Sequence, residues 1–364
     1  MNVQTIVNQL ESFAPLAFQE DFDNCGLLIG NRNQTVEGIL ICLDVTEAVV
    51  DEAITTKHNM IVCHHPLIFK GLKSLTGRNE VERCVMKAIK HDIAIYAAHT
   101  SLDSAPDGVS VRMAQKLGLE HVQVLVPKSG MLLKLVTFVP TAHLETVREA
   151  LFEAGAGRIG QYDACSFSHS GEGTFRPGTE TNPFVGVIGE VHHEPELRLE
   201  VILPKHKQSA VVTALLQAHP YEEPAFDLIP LANEWSQVGL GVVGDFPKNY
   251  AETDFLKLVK QTFQSDVIKH SPVLGRDIRR VALCGGSGAD FIMHAKAAGA
   301  DAFVTADVTY HRFFEAENNL LFLDIGHFES EQYTKEIFFE QLIEKFPNFA
   351  IRLSTSEQKR VLSF

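Results

Sequence analysis

The chain has 364 residues, 45% of them hydrophobic and 21% charged, and a formal net charge of −14. A chain of this length can bury a sizeable core and is expected to form two or three domains, or one domain with a large insertion. The acidic balance argues against a general affinity for nucleic acid or anionic lipid, since both draw on Lys and Arg, but it leaves room for a local basic pocket that takes a small phosphorylated molecule.

The N-terminal MNVQTIVNQLESF has the spacing of an amphipathic helix and no basic segment followed by an apolar stretch, so no signal peptide is expected. Val36–Val45 is a near-continuous apolar run, and Thr46 can cap a helix that reaches Lys57. Met60–Cys63 is a short apolar strand that runs into His64 and His65. Helical spacing follows over Glu80–Lys90, a buried strand over Ile93–Ala98, and another helix over Gly108–Leu117. Buried strands alternating with helices predict an α/β unit with a parallel sheet.

The middle changes character. Leu132–Val139 predicts a strand and His143–Ala154 a helix. Gly155–Pro183 is rich in Gly, Ser and Thr. Val185–Val191 and Arg198–Leu203 read as strands, Lys205–Ala218 as a helix and Ala225–Leu231 as a last strand. A β-α-β-β-α-β order of this kind predicts a small ferredoxin-like α+β module. From Val238 the first pattern returns. Strands are predicted at Val238–Val243, Arg279–Cys284, Ala302–Thr305 and Leu320–Ile325, with helices over Glu252–Phe263 and from Glu329 to Lys345. The expected organisation is a discontinuous α/β unit, residues 1–128 and 235–364, with the module inserted at 129–234. The six cysteines are scattered without a CxxC pair, which fits reduced and mostly buried thiols. No apolar run reaches the ~18 residues of a membrane span. The cytoplasm is the expected location.

In open α/β sheets, ligands bind beyond the carboxyl ends of the strands. His64-His65, His99, Asp103, the Gly285–Gly288 loop, Asp307 and His327 all fall at or just past such ends. Two adjacent imidazoles at a strand end can reach one cavity and serve two cations, or one can face solvent and the other the core. Asp103 can bridge cations or cap a turn. His327 and Glu331 are four apart, so on a helix they share a face and form half a metal site; the alternative is a capped helix with an exposed first-turn Glu. The Gly285–Gly288 loop can cradle a phosphate or simply turn the chain tightly. Asp307 and His311 can line a pocket as acid or base, or decorate a helix. His219, Glu222 and Glu223 offer either a further metal-binding set or a polar module surface.

At these residues the chain resembles the YqfO/YbgI-type dinuclear metal-centre family, also called Nif-three-like proteins or GTP cyclohydrolase I type 2 homologues. The matching segments are EDFDNCGLLIG at Glu20–Gly30, VCHHP at Val62–Pro66, HTSLD at His99–Asp103, CGGSGADF at Cys284–Phe291, TADVTYH at Thr305–His311 and DIGHFESE at Asp324–Glu331. Gly155–Pro177 and His219–Asp227 resemble the inserted module of the longer members, which is similar to the PII and CutA folds. Phe22 and Ala306 depart from the residues many relatives carry there, and neither is a proposed ligand.

The resemblance implies two divalent metal ions (Zn, Fe or Mn) held by His64, His65, Asp103, His327 and Glu331. It further implies a toroidal homohexamer with its sites facing an internal cavity. A metal-dependent hydrolase of a small nucleotide-like substrate is the leading expectation, with His311, Asp307 or His99 as proton shuttles or as groups that orient the ligands. The alternative is a metal-binding regulatory or scaffold assembly without turnover, whose module senses a small molecule. Nucleic acid ranks last among partners, and no membrane is expected.

Overall fold

The computed structural model describes residues 1–362. The chain divides into two compact units, one formed by Met1–Pro127 with the segment from Gln237 onward, the other by Lys128–Ser236.

The first unit carries two sheets. One has the strand order Gly26–Ile29, Ala94–Ala97, Met60–Cys63, Ile39–Cys42, Ile351–Leu353. All neighbours are parallel except Gly26–Ile29, which runs antiparallel to Ala94–Ala97. Every residue of Ile39–Cys42, Met60–Cys63 and Ala94–Ala97 is buried, which is why these segments show no alternation in sequence. Helix Glu47–Thr56 starts where Thr46 Oγ1 accepts the Val49 amide, and Glu80–Lys90 where Asn79 Oδ1 accepts that of Glu82. Val49, Val50, Ala53, Cys84, Val85 and Ala88 from these helices pack on Leu40, Ile61 and Ile95 of the sheet.

The second sheet has the order Lys269–His270, Leu321–Asp324, Ala302–Thr305, Ile278–Leu283, Trp235–Tyr250, Glu120–Lys128. Its three central strands are parallel and again fully or largely buried, and the strands flanking them are antiparallel. The α/β character is as predicted, but each sheet is mixed rather than wholly parallel. The edge strands Gly26–Ile29, Glu120–Lys128, Lys269–His270 and Ile351–Leu353 are short or polar, so the apolar pattern does not mark them. The helix predicted from Glu329 to Lys345 is broken into His327–Glu331 and Thr334–Lys345.

The second unit has strands Leu132–Pro140, Ser166–Phe175, His192–Pro204 and Phe226–Pro230, with helices Leu144–Glu153 and Gln208–Ala218. The sheet order is Ser166–Phe175, His192–Pro204, Leu132–Pro140, Phe226–Pro230, antiparallel throughout, which is the ferredoxin-like arrangement. Leu133, Leu135, Val139, Leu199, Val201 and Leu203 face the helices and meet Val147, Leu151, Val211 and Leu215. One predicted strand is corrected. Val185–Val191 forms turns, and the second strand lies instead at Ser166–Phe175. The apolar Val187, Ile188 and Val191 are exposed, so their hydrophobicity signals a surface loop here and not a core strand. Among the described residues, no helix is long and apolar enough to cross a membrane.

Candidate metal centre

Strand Met60–Cys63 delivers His64 and His65, and its neighbour Ala94–Ala97 leads to His99. His99 opens the short helix Thr100–Asp103, which sets Asp103 one turn further on. From the second sheet, Leu321–Asp324 leads through Gly326 into His327–Glu331. There the four-residue spacing places His327 Nε2 3.0 Å from Glu331 Oε2.

These side chains converge. His64, Asp103 and Glu331 form one potential cation-holding group, His65, His327 and Glu331 a second, and His64, His65 and His99 a third. Glu331 Oε2 lies 2.9 Å from His65 Nε2, and Glu331 Oε1 lies 3.7 Å from His64 Nε2. His64 Nε2 is also 3.7 Å from Asp103 Oδ1. The Nε2 atoms of His65 and His327 face each other at 3.3 Å. Glu331 is therefore shared between two groups, one oxygen turned toward each, whereas Asp103 belongs to the His64 side alone.

Each ring is held from behind. His64 Nδ1 bonds the Ala98 carbonyl at 2.9 Å, His65 Nδ1 bonds Asp44 at 2.9 Å, His99 Nδ1 bonds Asp23 at 2.9 Å and His327 Nδ1 bonds Asp307 at 2.7 Å. Anchoring Nδ1 fixes ring orientation and turns all four Nε2 atoms inward, as second partners of metal-binding histidines do. Asp23 also accepts the Thr100 amide at 3.0 Å, which pins the start of the Asp103 helix.

The electrostatics follow from burial and these contacts. Burial opposes charge on His65, but hydrogen bonds to Asp44 and Glu331 push its pKa up to about 10. His327 is likewise pushed up to about 11 by Asp307 and Glu331 against the effect of burial. Burial raises the Asp103 carboxyl. It acts on Glu331 in the same sense, but the imidazoles of His327, His64 and His65 around it outweigh it and hold Glu331 well below the usual range. Among the buried atoms without a hydrogen-bond partner where the groups meet are His64 Nε2 and Asp103 Oδ1.

The Gly285–Gly288 loop serves the ligands in another way. Its Gly285, Gly286 and Gly288 amides are already donated to Ser110, Ser330 and Thr305 hydroxyls, so they are not free to cradle a phosphate. Gly286 has φ +62°, and a Cβ there would lie 2.3 Å from Glu331 Oε1. Glycine is required at this position for the Glu331 carboxylate to sit where it does.

Asp307 follows strand Ala302–Thr305 and holds His327. His311 is exposed in the 3₁₀ segment Tyr310–Ala316, its ring against Tyr310 and Phe314, and it belongs to none of the three groups. Asp23 and Asp44, which hold His99 and His65, are the residues of this candidate centre that sequence reasoning passed over as individual positions. Asp44 has a signal, being an acid at the end of a buried strand. Asp23 has only its place within Glu20–Gly30.

The model of the Duf34/NIF3 (NGG1p interacting factor 3) family matches residues 1–360. A Halalkalibacterium halodurans protein named GTP cyclohydrolase 1 type 2 homolog is 43% identical over 328 residues, covering 90% of this chain and 88% of its own length. A Bacillus subtilis protein of the same name is 39% identical over 338 residues, covering 92% of this chain and 90% of its own. The crystal structure of a Bacillus cereus protein related to NIF3 superposes with a TM-score of 0.88 at 38% identity, covering 100% of this chain and 99% of that one. A Staphylococcus aureus structure superposes with a TM-score of 0.79 at 28% identity, with the same coverage. With His and acidic groups able to hold a metal ion, and with these matches along nearly its whole length, the chain belongs to the Duf34/NIF3 family.

Proposed function

We propose that the chain holds a pair of divalent cations and hydrolyses a small nucleotide-like substrate with them. One observation carries the reading: His64 Nε2 and Asp103 Oδ1 are buried and unpartnered between rings whose Nδ1 atoms are all anchored. Bare buried polar atoms are costly, and a cation between them removes that cost. In this reading His64, Asp103 and Glu331 would hold one cation, and His65, His327 and Glu331 the other. Three imidazoles and two carboxylates suit Zn, Fe or Mn without choosing among them. When bound, such cations polarise substrate oxygens and lower the pKa of a nearby water.

The protein's own part is orientation and proton movement. Asp44 and Asp307 hold His65 and His327 in place, so neither needs to act as the shuttle itself. His99, tied at Nδ1 by Asp23, keeps Nε2 for a proton that passes to or from the substrate. His311 stays a candidate at the exposed edge. The relatives' printed name makes GTP the first nucleotide to try, and a cytoplasmic toroidal hexamer remains part of the proposal, to be checked by solution mass.

The test is metal analysis of protein purified without added metal, followed by a nucleotide hydrolysis screen. Two cations per chain and a chelator-sensitive turnover lost in Asp103→Ala are expected. Turnover that survives Asp103→Ala refutes the hydrolase reading. Bound metal with no chelator-sensitive turnover across the screen assigns the cations to a regulatory or scaffold assembly instead.

A further inference from the structure

The ferredoxin-like unit contains a cavity of about 580 Å³, within the roughly 300–1,000 Å³ of small-molecule sites. All of its lining lies between Phe138 and Ala225, and it shares no residue with the metal centre. The loop that follows strand Ser166–Phe175 lines one side of it, tied down where the Asn182 amide donates to Glu222 at 2.9 Å. Three aromatic rings meet inside. Phe175 and Phe184 stand 6.1 and 6.2 Å from Tyr221, tilted to it by 52° and 46°. Tilted rings make a box and not the parallel slot that a planar heterocycle needs.

At the wall of this box lies Glu196, only 8% exposed. Tyr221 donates its hydroxyl to Glu196 Oε1 at 2.8 Å, and burial with the neighbouring carboxylate keeps that phenol protonated. Glu196 Oε2 receives no hydrogen bond from the described residues, and no cation pairs with Glu196 among them. Arg198, two positions on, is turned to Glu200 instead. Gly173 makes room for the carboxylate: a Cβ there would stand 2.1 Å from Glu196 Oε2. The Glu196 carboxylate thus lines the cavity with one neutral hydroxyl as its hydrogen-bond partner and no cation beside it. Glu222 and Glu223 add further acid to the lining, and Arg176 is the one lining guanidinium not already tied to a carboxylate.

We infer that this cavity binds a small organic cation, an alkylammonium or guanidinium group seated between Phe175, Phe184 and Tyr221 and paired with Glu196. Aromatic faces and a carboxylate without a cation partner are the two features that recognise such cations. An inorganic divalent ion fits less well. The ring nitrogens of His219 are both engaged, Nε2 with the Phe138 carbonyl and Nδ1 with the Tyr221 amide, and among the described residues none of the clustered His and acid groups able to hold a metal ion lies in this module.

The test is calorimetric titration of the full chain with agmatine, spermidine and tetramethylammonium, with adenosine monophosphate and calcium as counter-probes. Saturable binding of at least one organic cation is expected, at one per chain and unaffected by His65→Ala. Glu196→Gln, which keeps the shape and the Tyr221 contact, should weaken it by about tenfold or more. Phe184→Ala, a change at an exposed ring that leaves folding intact, should weaken it by roughly threefold to tenfold. Absence of saturable binding, binding unchanged in both variants, or preferential uptake of the nucleotide or of calcium would each overturn the inference. Because the metal centre shares no residue with this cavity, its failure and that of the hydrolase reading are separable.

Discussion

Replacing Gly286 with alanine separates two effects that usually travel together. The residue sits at φ +62°, where an L side chain costs about 1–2 kcal/mol, and its new Cβ would meet Glu331 Oε1 at 2.3 Å. Gly118 offers the control: φ is +76° and a Cβ there meets nothing within 4 Å. Gly118→Ala therefore carries the backbone strain alone. Gly286→Ala carries the same strain and also drives the carboxylate about 1 Å from its place, since ordinary contact begins near 3.4 Å. Perturbing a group that positions a metal ligand costs roughly 10–100-fold in metal affinity. Both variants should melt a few degrees lower, at about 2–4 °C per kcal/mol for a unit of this size. Competition titration of zinc against a chromophoric chelator should show Gly118→Ala at wild-type affinity and Gly286→Ala weakened by about 10–100-fold. Equal affinities in the two variants would mean that the position of Glu331 Oε1 does not matter to the site, and the shared-carboxylate geometry would be wrong.

Three more expectations follow from contacts of other kinds. Asp307→Asn keeps the size of the His327 anchor but removes its charge, so zinc affinity should fall about tenfold or more while the melting temperature of metal-free protein moves little; an unchanged affinity would leave the anchor without a role. Chelation should lower the melting temperature of protein purified with metal, and re-addition should restore it, because the ligands come from both sheets; identical melts would show that no cation links them. Glu52 is buried, which opposes its charge, yet the Ser354 hydroxyl and the Thr355 and Ser356 amides hold its pKa at about 2 against an ordinary 4.5. A lowered carboxylate stabilises above its unfolded value and loses that stability as pH falls through its folded one. About 3 kcal/mol should therefore be lost between pH 4.5 and about 2, and Glu52→Gln should flatten that part of an acid-unfolding curve.

Much of the first unit was legible because its central strands are buried on both faces. Met60–Cys63 and Ala302–Thr305 read as short apolar runs with fixed ends, and the end is what places His64 and Asp307. Thr46 announced its helix because a β-region hydroxyl residue before an apolar period is a cap. The Ser166–Phe175 strand stayed hidden for the opposite reason: most of its residues are exposed, its glycines suggest a loop, and Gly173 serves a carboxylate 23 positions away. Pairings across distance were equally invisible. Nothing in the sequence joins Asp23 to His99, 76 positions apart, or His65 to His327, 262 apart, and the sharing of Glu331 follows only from such contacts.

The raised histidines and the carboxylate count describe one property of the site. Asp23, Asp44, Asp103, Asp307 and Glu331 place five acids around four imidazoles, more negative charge than neutral rings can balance. Without a cation, protons take up the excess: His65 and His327 are held charged far above neutrality, and burial raises Asp103. A site made only for hydrogen bonding would leave neither His64 Nε2 nor Asp103 Oδ1 bare, since one proton between them would satisfy both. Their 3.7 Å separation is too long for that hydrogen bond and leaves space for a cation in contact with both atoms. The anchors Asp44 and Asp307 thus do two jobs through one contact each. They fix which nitrogen faces inward, and they supply the charge that makes an inward-facing cation favourable.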